Sequence, residues 1–218
     1  MLAGGKVYAI SNGAKNMSRY RIIFSKTGLA TFINHQDLPI IFSRSMKRAG
    51  VKLEFTQGFS PHPRVSFSVA LAIGVTGMAE VADFWLEEGS EENLSRLNEF
   101  LPEGFHVLEY FEIDNDFLLG KQMKAASYEL AFGSSEIARV AEEILRVKLS
   151  EESALLYIEL KENVVSLTVN TPEKFSASYF VKLLKEREVI TGWQDIEMTR
   201  TALGKIDEAT NGIYVPRV

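Results

Sequence analysis

Arg19-Tyr20-Arg21-Ile22-Ile23-Phe24-Ser25 sets Tyr20, Ile22 and Phe24 on one side of an extended chain and Arg19, Arg21 and Ile23 on the other. That alternation is the period of a half-buried β-strand. Lys26-Thr27-Gly28 ends it, and beyond it Leu38, Ile41, Phe42, Ser45 and Ala49 recur at the spacing of one helix face. Asp37 is placed to cap this helix, Pro39 falls in the first turn where its missing N–H costs nothing, and Gly50 is placed to stop it. A strand feeding a helix is the opening of a unit that the rest of the chain completes.

Residues 51–55 are a short extended piece, followed by a loop and then by Val65, Phe67, Val69 and Leu71 alternating with Ser66, Ser68, Ala70 and Ala72. Gly74 and Gly77 mark a turn, residues 81–86 read as the hairpin partner, Ser90 can cap a helix carrying Leu94, Leu97 and Leu101, and residues 105–113 are again extended. Strand, helix, strand, strand, helix, strand is the ferredoxin-like order. After a connector at 114–126 the order repeats. A strand leads into a helix capped by Ser134 or Ser135 with Ile137, Val140, Ala141, Ile144 and Leu145 on one face, then a hairpin turns at Glu162-Asn163. Pro172 opens a helix with Phe175, Tyr179, Val181 and Leu184, and 189–203 is the last extended segment.

The expected fold is therefore α+β, two ferredoxin-like βαββαβ halves at 17–113 and 127–203, with an irregular arm at 204–218. Residues 1–16 lack the apolar segment of a secretory signal and are expected to be a mobile extension, with Met17 as an alternative start.

A chain of 218 residues has room for one large or two small cores. No apolar run approaches the roughly 18 residues of a membrane span, so no membrane association is expected. There is no cysteine, which excludes a disulfide scaffold, a cysteine-ligated zinc or iron–sulfur cluster and a cysteine nucleophile, and leaves the cytoplasm as the expected location. The net charge of −5 is unevenly spread: residues 17–64 hold eight Lys or Arg against Asp37 and Glu54, a net +6, whereas residues 65–218 hold 14 basic against 27 acidic residues, a net −13. One end is suited to an anion, unless its cations pair with the acidic half.

Three groupings carry chemistry. The loop Thr56-Gln57-Gly58-Phe59-Ser60-Pro61-His62-Pro63-Arg64 concentrates a turn glycine, two prolines, a histidine and an arginine, more than a plain connection needs. Gln57, Gly58, Phe59, Ser60 and His62 form its candidate site. The basic set is Arg19 and Arg21 on the first strand, Arg44, Lys47 and Arg48 at i, i+3 and i+4 on the helix, and Arg64. These are candidate RNA or anion contacts, since Arg forks suit phosphate and Ser66 and Ser68 would let a backbone approach an open sheet face. The strands lack the exposed aromatic pair of a base-stacking sheet. The third grouping is His35, Asp37 and His62, which can exchange protons or hold a divalent metal, although the spacing matches no standard ligand signature. A structural role for each histidine is the plainer reading, so neither metal nor cofactor is assigned. Gly28 and Gly58 match no phosphate-binding fingerprint, and no serine elbow is present.

Phe24-Ser25-Lys26-x-Gly28, Phe32-Ile33-Asn34-His35-Gln36-Asp37-Leu38, Arg48-Ala49-Gly50, the 57–64 loop, Ser66-Phe67 and Thr199-Arg200-Thr201 together resemble the bacterial radical-SAM-linked domain of unknown function, over residues 17–204. That domain occurs alone or fused behind a radical SAM enzyme. The resemblance implies a partner or substrate-presenting module for such an enzyme, acting on RNA. Asn34 and Gln36 depart from the commoner pattern, which argues against a chemical task for either. The first half also looks like the ferredoxin-like RNA-binding units of CRISPR-associated proteins, an analogy of fold. Lacking a cysteine triad, the chain is not itself expected to be the radical SAM enzyme. The expected function is an accessory RNA-binding module, with two alternatives: an enzyme acting on a nucleotide or RNA through His35, Asp37 and His62, or a protein-interaction scaffold.

Overall fold

In the computed structural model, which describes residues 17–114, 117–210 and 212–217, the alternating stretch around Ile22 is strand β1 (Met17–Lys26). The chain continues through α1 (Leu38–Ala49), β2 (Val65–Phe67), β3 (Thr76–Glu87), a 3-10 helix (Glu91–Glu99) and β4 (Phe105–Ile113). β1 pairs antiparallel with both β3 and β4, and β2 adds to β3, which is the ferredoxin-like strand order. A connector carrying one helical turn, α2 (Leu119–Gln122), leads into β5 (Ala125–Phe132), α3 (Ser135–Glu151), β6 (Leu155–Lys161), β7 (Val164–Asn170), α4 (Ala177–Glu186) and β8 (Ile196–Ile206). β5 lies between β7 and β8, and β6 pairs with β7, so the second half repeats the first. The fold is α+β with two ferredoxin-like halves. The two sheets fuse through parallel pairing of Thr76 with Thr199 and Gly77 with Arg200. Residues 1–16, expected as a mobile extension, lie outside the described residues.

Each half buries its helices on one sheet face. In the first, Ile22 and Phe24 of β1 meet Phe42 and Met46 of α1, with the Phe24 and Phe42 rings 4.8 Å apart edge to face. In the second, Tyr128 of β5 packs edge to face on Phe180 of α4 at 5.3 Å.

Several expectations are corrected. β2 stops at Phe67 because Val69 and Ala70 turn away and their carbonyls accept from Arg200 of β8, while Leu71 and Val75 join the core of the second half. Asp37 makes no side-chain cap. The Asn34 side chain instead accepts from the Gln36 N–H at 3.2 Å, capping a 3-10 turn (His35–Asp37) that runs into α1. Pro39 does sit in the first turn, and Gly50 ends α1 at φ 87°, a left-handed conformation glycine adopts without strain. The α3 face that is buried is Ala138, Ala141, Leu145 and Leu149, with Ile137 and Val140 exposed. α4 begins at Ala177, five residues beyond Pro172. The C-terminal arm is not wholly irregular: β9 (Ile213–Tyr214) folds back on β8, and Gly204 leaves no room for a side chain where Tyr214 crosses. No helix among the described residues is long and apolar enough to cross a membrane.

Candidate nucleic-acid interface

The 56–64 loop is a hairpin standing off the sheet. Glu54 N–H donates to Trp85 O at 2.8 Å, Arg64 N–H donates to Glu54 O at 2.7 Å, and Trp85 N–H donates to Arg64 O at 3.1 Å, so both legs are anchored on β3. Above that anchor Phe55 and Pro63 bridge, and Thr56 N–H donates to His62 O at 2.9 Å. The tip turns at Gly58, whose φ of 135° favours glycine. Gln57, Gly58, Phe59, Ser60 and His62 are all exposed, Phe59 completely. The Ser60 carbonyl can only accept, so His62 carries its proton on Nδ1, donating to Ser60 O (3.3 Å) and to Thr56 Oγ1 (3.1 Å). His62 therefore braces the hairpin while its other ring nitrogen stays open to solvent.

Between this hairpin and the C-terminal half of α1 lies a cavity of about 520 Å³. Its floor is apolar, from Val51 and Leu53, and Phe55 and Pro63 form its hairpin wall. Arg44, Lys47 and Lys52 line its rim, and none of the three has an ion pair among the described residues. Glu87 also lines it. Of the predicted helical stripe, Arg44 and Lys47 reach the cavity, whereas Arg48 is exposed on the same helix outside it. Lys52 was not predicted. Its signal was its place, two residues past the helix stop, in the extended piece that forms the floor.

Arg19 and Arg21 do not face solvent. They are 8% and 0% exposed, and both bind Asp83 of β3, Arg21 through Nε at 2.7 Å and Nη2 at 2.9 Å and Arg19 through Nε at 3.1 Å. The sheet face expected to lie open is closed by the connector and the tail. Arg19 Nη2 donates to Phe117 O at 2.9 Å and Arg21 Nη1 to Pro216 O at 2.8 Å. A buried carboxylate shared by two guanidiniums is a structural ion cluster with nothing to offer an external phosphate. Arg64 is intermediate: its guanidinium lies 4.6 Å from the Trp85 ring centroid, with Arg19 at 4.9 Å from the same ring, and it pairs with Glu54 at 3.8 Å. Trp85 is an aromatic on the sheet that the strand reading passed over.

The His35, Asp37 and His62 cluster does not assemble. Among the described residues no three His, Asp or Glu side chains converge as a metal would require. Asp37 is exposed, and His35 turns toward the seam between the halves, its ring 6.0 Å from that of Phe67. There it meets the charges of Glu80, Arg200 and Lys26; burial pushes its pKa down, Glu80 opposes this, and the two cations add to it. Lys26 is 1% exposed and donates from Nζ to Ile33 O at 2.7 Å, with its pKa lowered by burial. The Arg200 pKa is raised: burial works against its charge, and Glu80 more than offsets that. Lys26, Glu80 and Arg200, scattered in sequence, are thus buried together with the half-buried His35 near them, and the Glu80–Arg200 ion pair ties the two halves together.

A family model described as "Uncharacterized protein conserved in bacteria (DUF2344)" matches residues 19–189. No curated protein matches. Among solved structures, the ligand-free regulatory subunit of aspartate kinase from Thermus thermophilus is 10% identical, with 78% of this chain and 91% of that chain covered and a TM-score of 0.25. A protein described as a glycine cleavage system transcriptional repressor is 9% identical, with 84% and 95% covered and a TM-score of 0.27. Likenesses at that level say nothing about what this chain binds.

Proposed function

The chain belongs to that bacterial family, whose description assigns no activity, and we propose that within it the protein is a cytoplasmic accessory module that binds RNA for a radical SAM enzyme. The observation that carries the RNA reading is the cavity rim: Arg44, Lys47 and Lys52 stand unpaired among the described residues, around an apolar floor walled by the half-exposed Phe55. In a chain of net charge −5 such a concentration of uncommitted cations favours a polyanion, and the neighbouring aromatic favours one with bases. The enzyme alternative has lost its cluster, since His35 and His62 serve different neighbours.

A partner protein has its own supporting feature. Leu29 and Phe32 of one 3-10 turn are 87% and 66% exposed, and Ile73 beside them is 54% exposed, where Gly74 N–H donates to Thr31 O at 3.0 Å. Adjacent apolar side chains left in water are a common mark of a protein contact. The radical SAM partnership itself rests on the sequence resemblance.

Binding of a fluorescein-labelled single-stranded RNA, followed by anisotropy, tests the RNA reading. Salt-sensitive binding that weakens in R44A/K47A/K52A is expected. No binding at low salt, or binding indifferent to salt, contradicts it. Co-purification of a radical SAM protein that survives nuclease treatment, and is lost in L29S/F32S, would separate a protein contact from an RNA bridge.

A further inference from the structure

We infer that the cavity between α1 and the hairpin seats one unpaired base of a single-stranded RNA, whose flanking phosphates lie on Arg44, Lys47 and Lys52; this rests on the RNA reading above. Phosphate binding alone needs only a cationic surface, and the rim supplies it, with Arg44, Lys47 and Lys52 against the single carboxylate of Glu87 in the lining. The floor is what phosphate does not explain. Val51 and Leu53, core residues 3% and 7% exposed, close the inner side of the cavity with apolar side chains, and Phe55, 53% exposed, lines its hairpin side. A volume of about 520 Å³ lies within the roughly 300–1,000 Å³ usual for small organic ligands. A groove between a helix and a raised hairpin admits a splayed nucleotide and turns away a duplex, whose bases stay stacked inside and whose backbone needs a broad surface.

The hairpin is suited to follow such a strand. Its legs are anchored by backbone hydrogen bonds to β3, and Phe59 at its tip is fully exposed, an aromatic free to meet a further base of the strand. Stacking on an aromatic tolerates any base, so this site selects unpaired over paired strands with little preference for sequence. Trp85 does not take this part, because two guanidiniums already cover its ring.

The test is anisotropy at one salt concentration with four probes: a short oligoadenylate RNA, the same backbone with abasic sites, a blunt RNA duplex of equal length, and AMP. The oligoadenylate should bind best and the abasic strand about tenfold more weakly, since stacking of a single base is of that order. Phe55→Ala, at a side chain already half exposed and a bridge made by backbone, should keep the wild-type circular dichroism and erase the difference between the first two probes. R44A/K47A should weaken both in proportion. Equal affinity for the intact and abasic strands overturns the base site while leaving RNA binding in place, as does a duplex that binds as well as the single strand. AMP binding as tightly as the strand also overturns it, in favour of a free-nucleotide pocket. Failure of every RNA probe removes the RNA reading itself.

Discussion

Arg200 of β8 donates from Nε to Oε1 of Glu80 in β3 at 2.9 Å, across the line where the two halves of the sheet meet. The same guanidinium donates to Val69 O at 2.8 Å, and Gly77 leaves the space that the Glu80 side chain fills. One arginine of the second half therefore fixes both the end of β2 and the start of β3 in the first.

Arg200→Met should cost about 3–5 kcal/mol of stability, the usual penalty for stranding one member of a buried pair. Glu80 would be left 6% exposed without its guanidinium, and the carbonyls of Val69 and Ala70 without a donor. Urea unfolding measures this. A loss below about 1 kcal/mol would mean that the seam does not depend on this pair.

Asp83 holds two buried arginines, so Asp83→Asn should destabilise more than Arg19→Met. The triple change D83L/R19M/R21M should recover part of that loss, because it removes all three charges together. The recovery is read from chemical-denaturation midpoints at constant slope. A triple variant less stable than Asp83→Asn alone would argue that the cluster is net stabilising.

His35 makes the seam sensitive to mild acid. Its folded pKa lies below its ordinary 6.5, mainly through burial, so the folded state prefers the neutral ring. Its contribution is fully present above about pH 6.5 and is lost as the pH falls through the lowered folded value, where the unfolded chain binds the proton first. Thermal midpoints taken downward from pH 7.5 should fall, and His35→Gln should flatten that part of the profile. An unchanged profile in the variant would assign the effect elsewhere.

Glu152 is held to a pKa of about 2 by Lys174, with Nζ to Oε2 at 2.6 Å, and then by the Tyr179 hydroxyl, which donates to Oε1 at 2.9 Å. Tyr179 is in turn raised to about 12, first by burial and then by the Glu152 carboxylate. Tyr179→Phe should move the Glu152 titration upward in a carboxyl-carbon NMR experiment, toward but short of 4.5 because Lys174 remains. No movement would show that the hydroxyl bond is not formed in solution.

The order of strands and helices was legible because it rests on local period: Tyr20, Ile22 and Phe24 alternate whatever lies beyond them. What covers each face was not. Arg19 and Arg21 read as a phosphate-facing pair because Asp83, 62 and 64 residues away, gives no local sign that it lies opposite, and because the connector and tail that close the face have no period of their own. On α3, Ala141 and Leu145 are buried as expected, but the face runs on through Ala138 and Leu149, while Ile137 and Val140, apolar in sequence, stand in water because small Ala138 is what the sheet admits there. For the candidate site, helical spacing alone found Arg44 and Lys47. Joining them to Lys52 and Phe55 required the fold of the hairpin.

The salt dependence of RNA binding tests the central claim most directly. Plotted as log K against log salt, each phosphate contact to a single strand contributes a slope of about 0.7, so R44A/K47A/K52A should lower the wild-type slope by about 2 while Arg48→Ala, outside the cavity, changes it little. A triple variant with the wild-type slope and affinity would show that RNA, if bound at all, is held elsewhere on the protein.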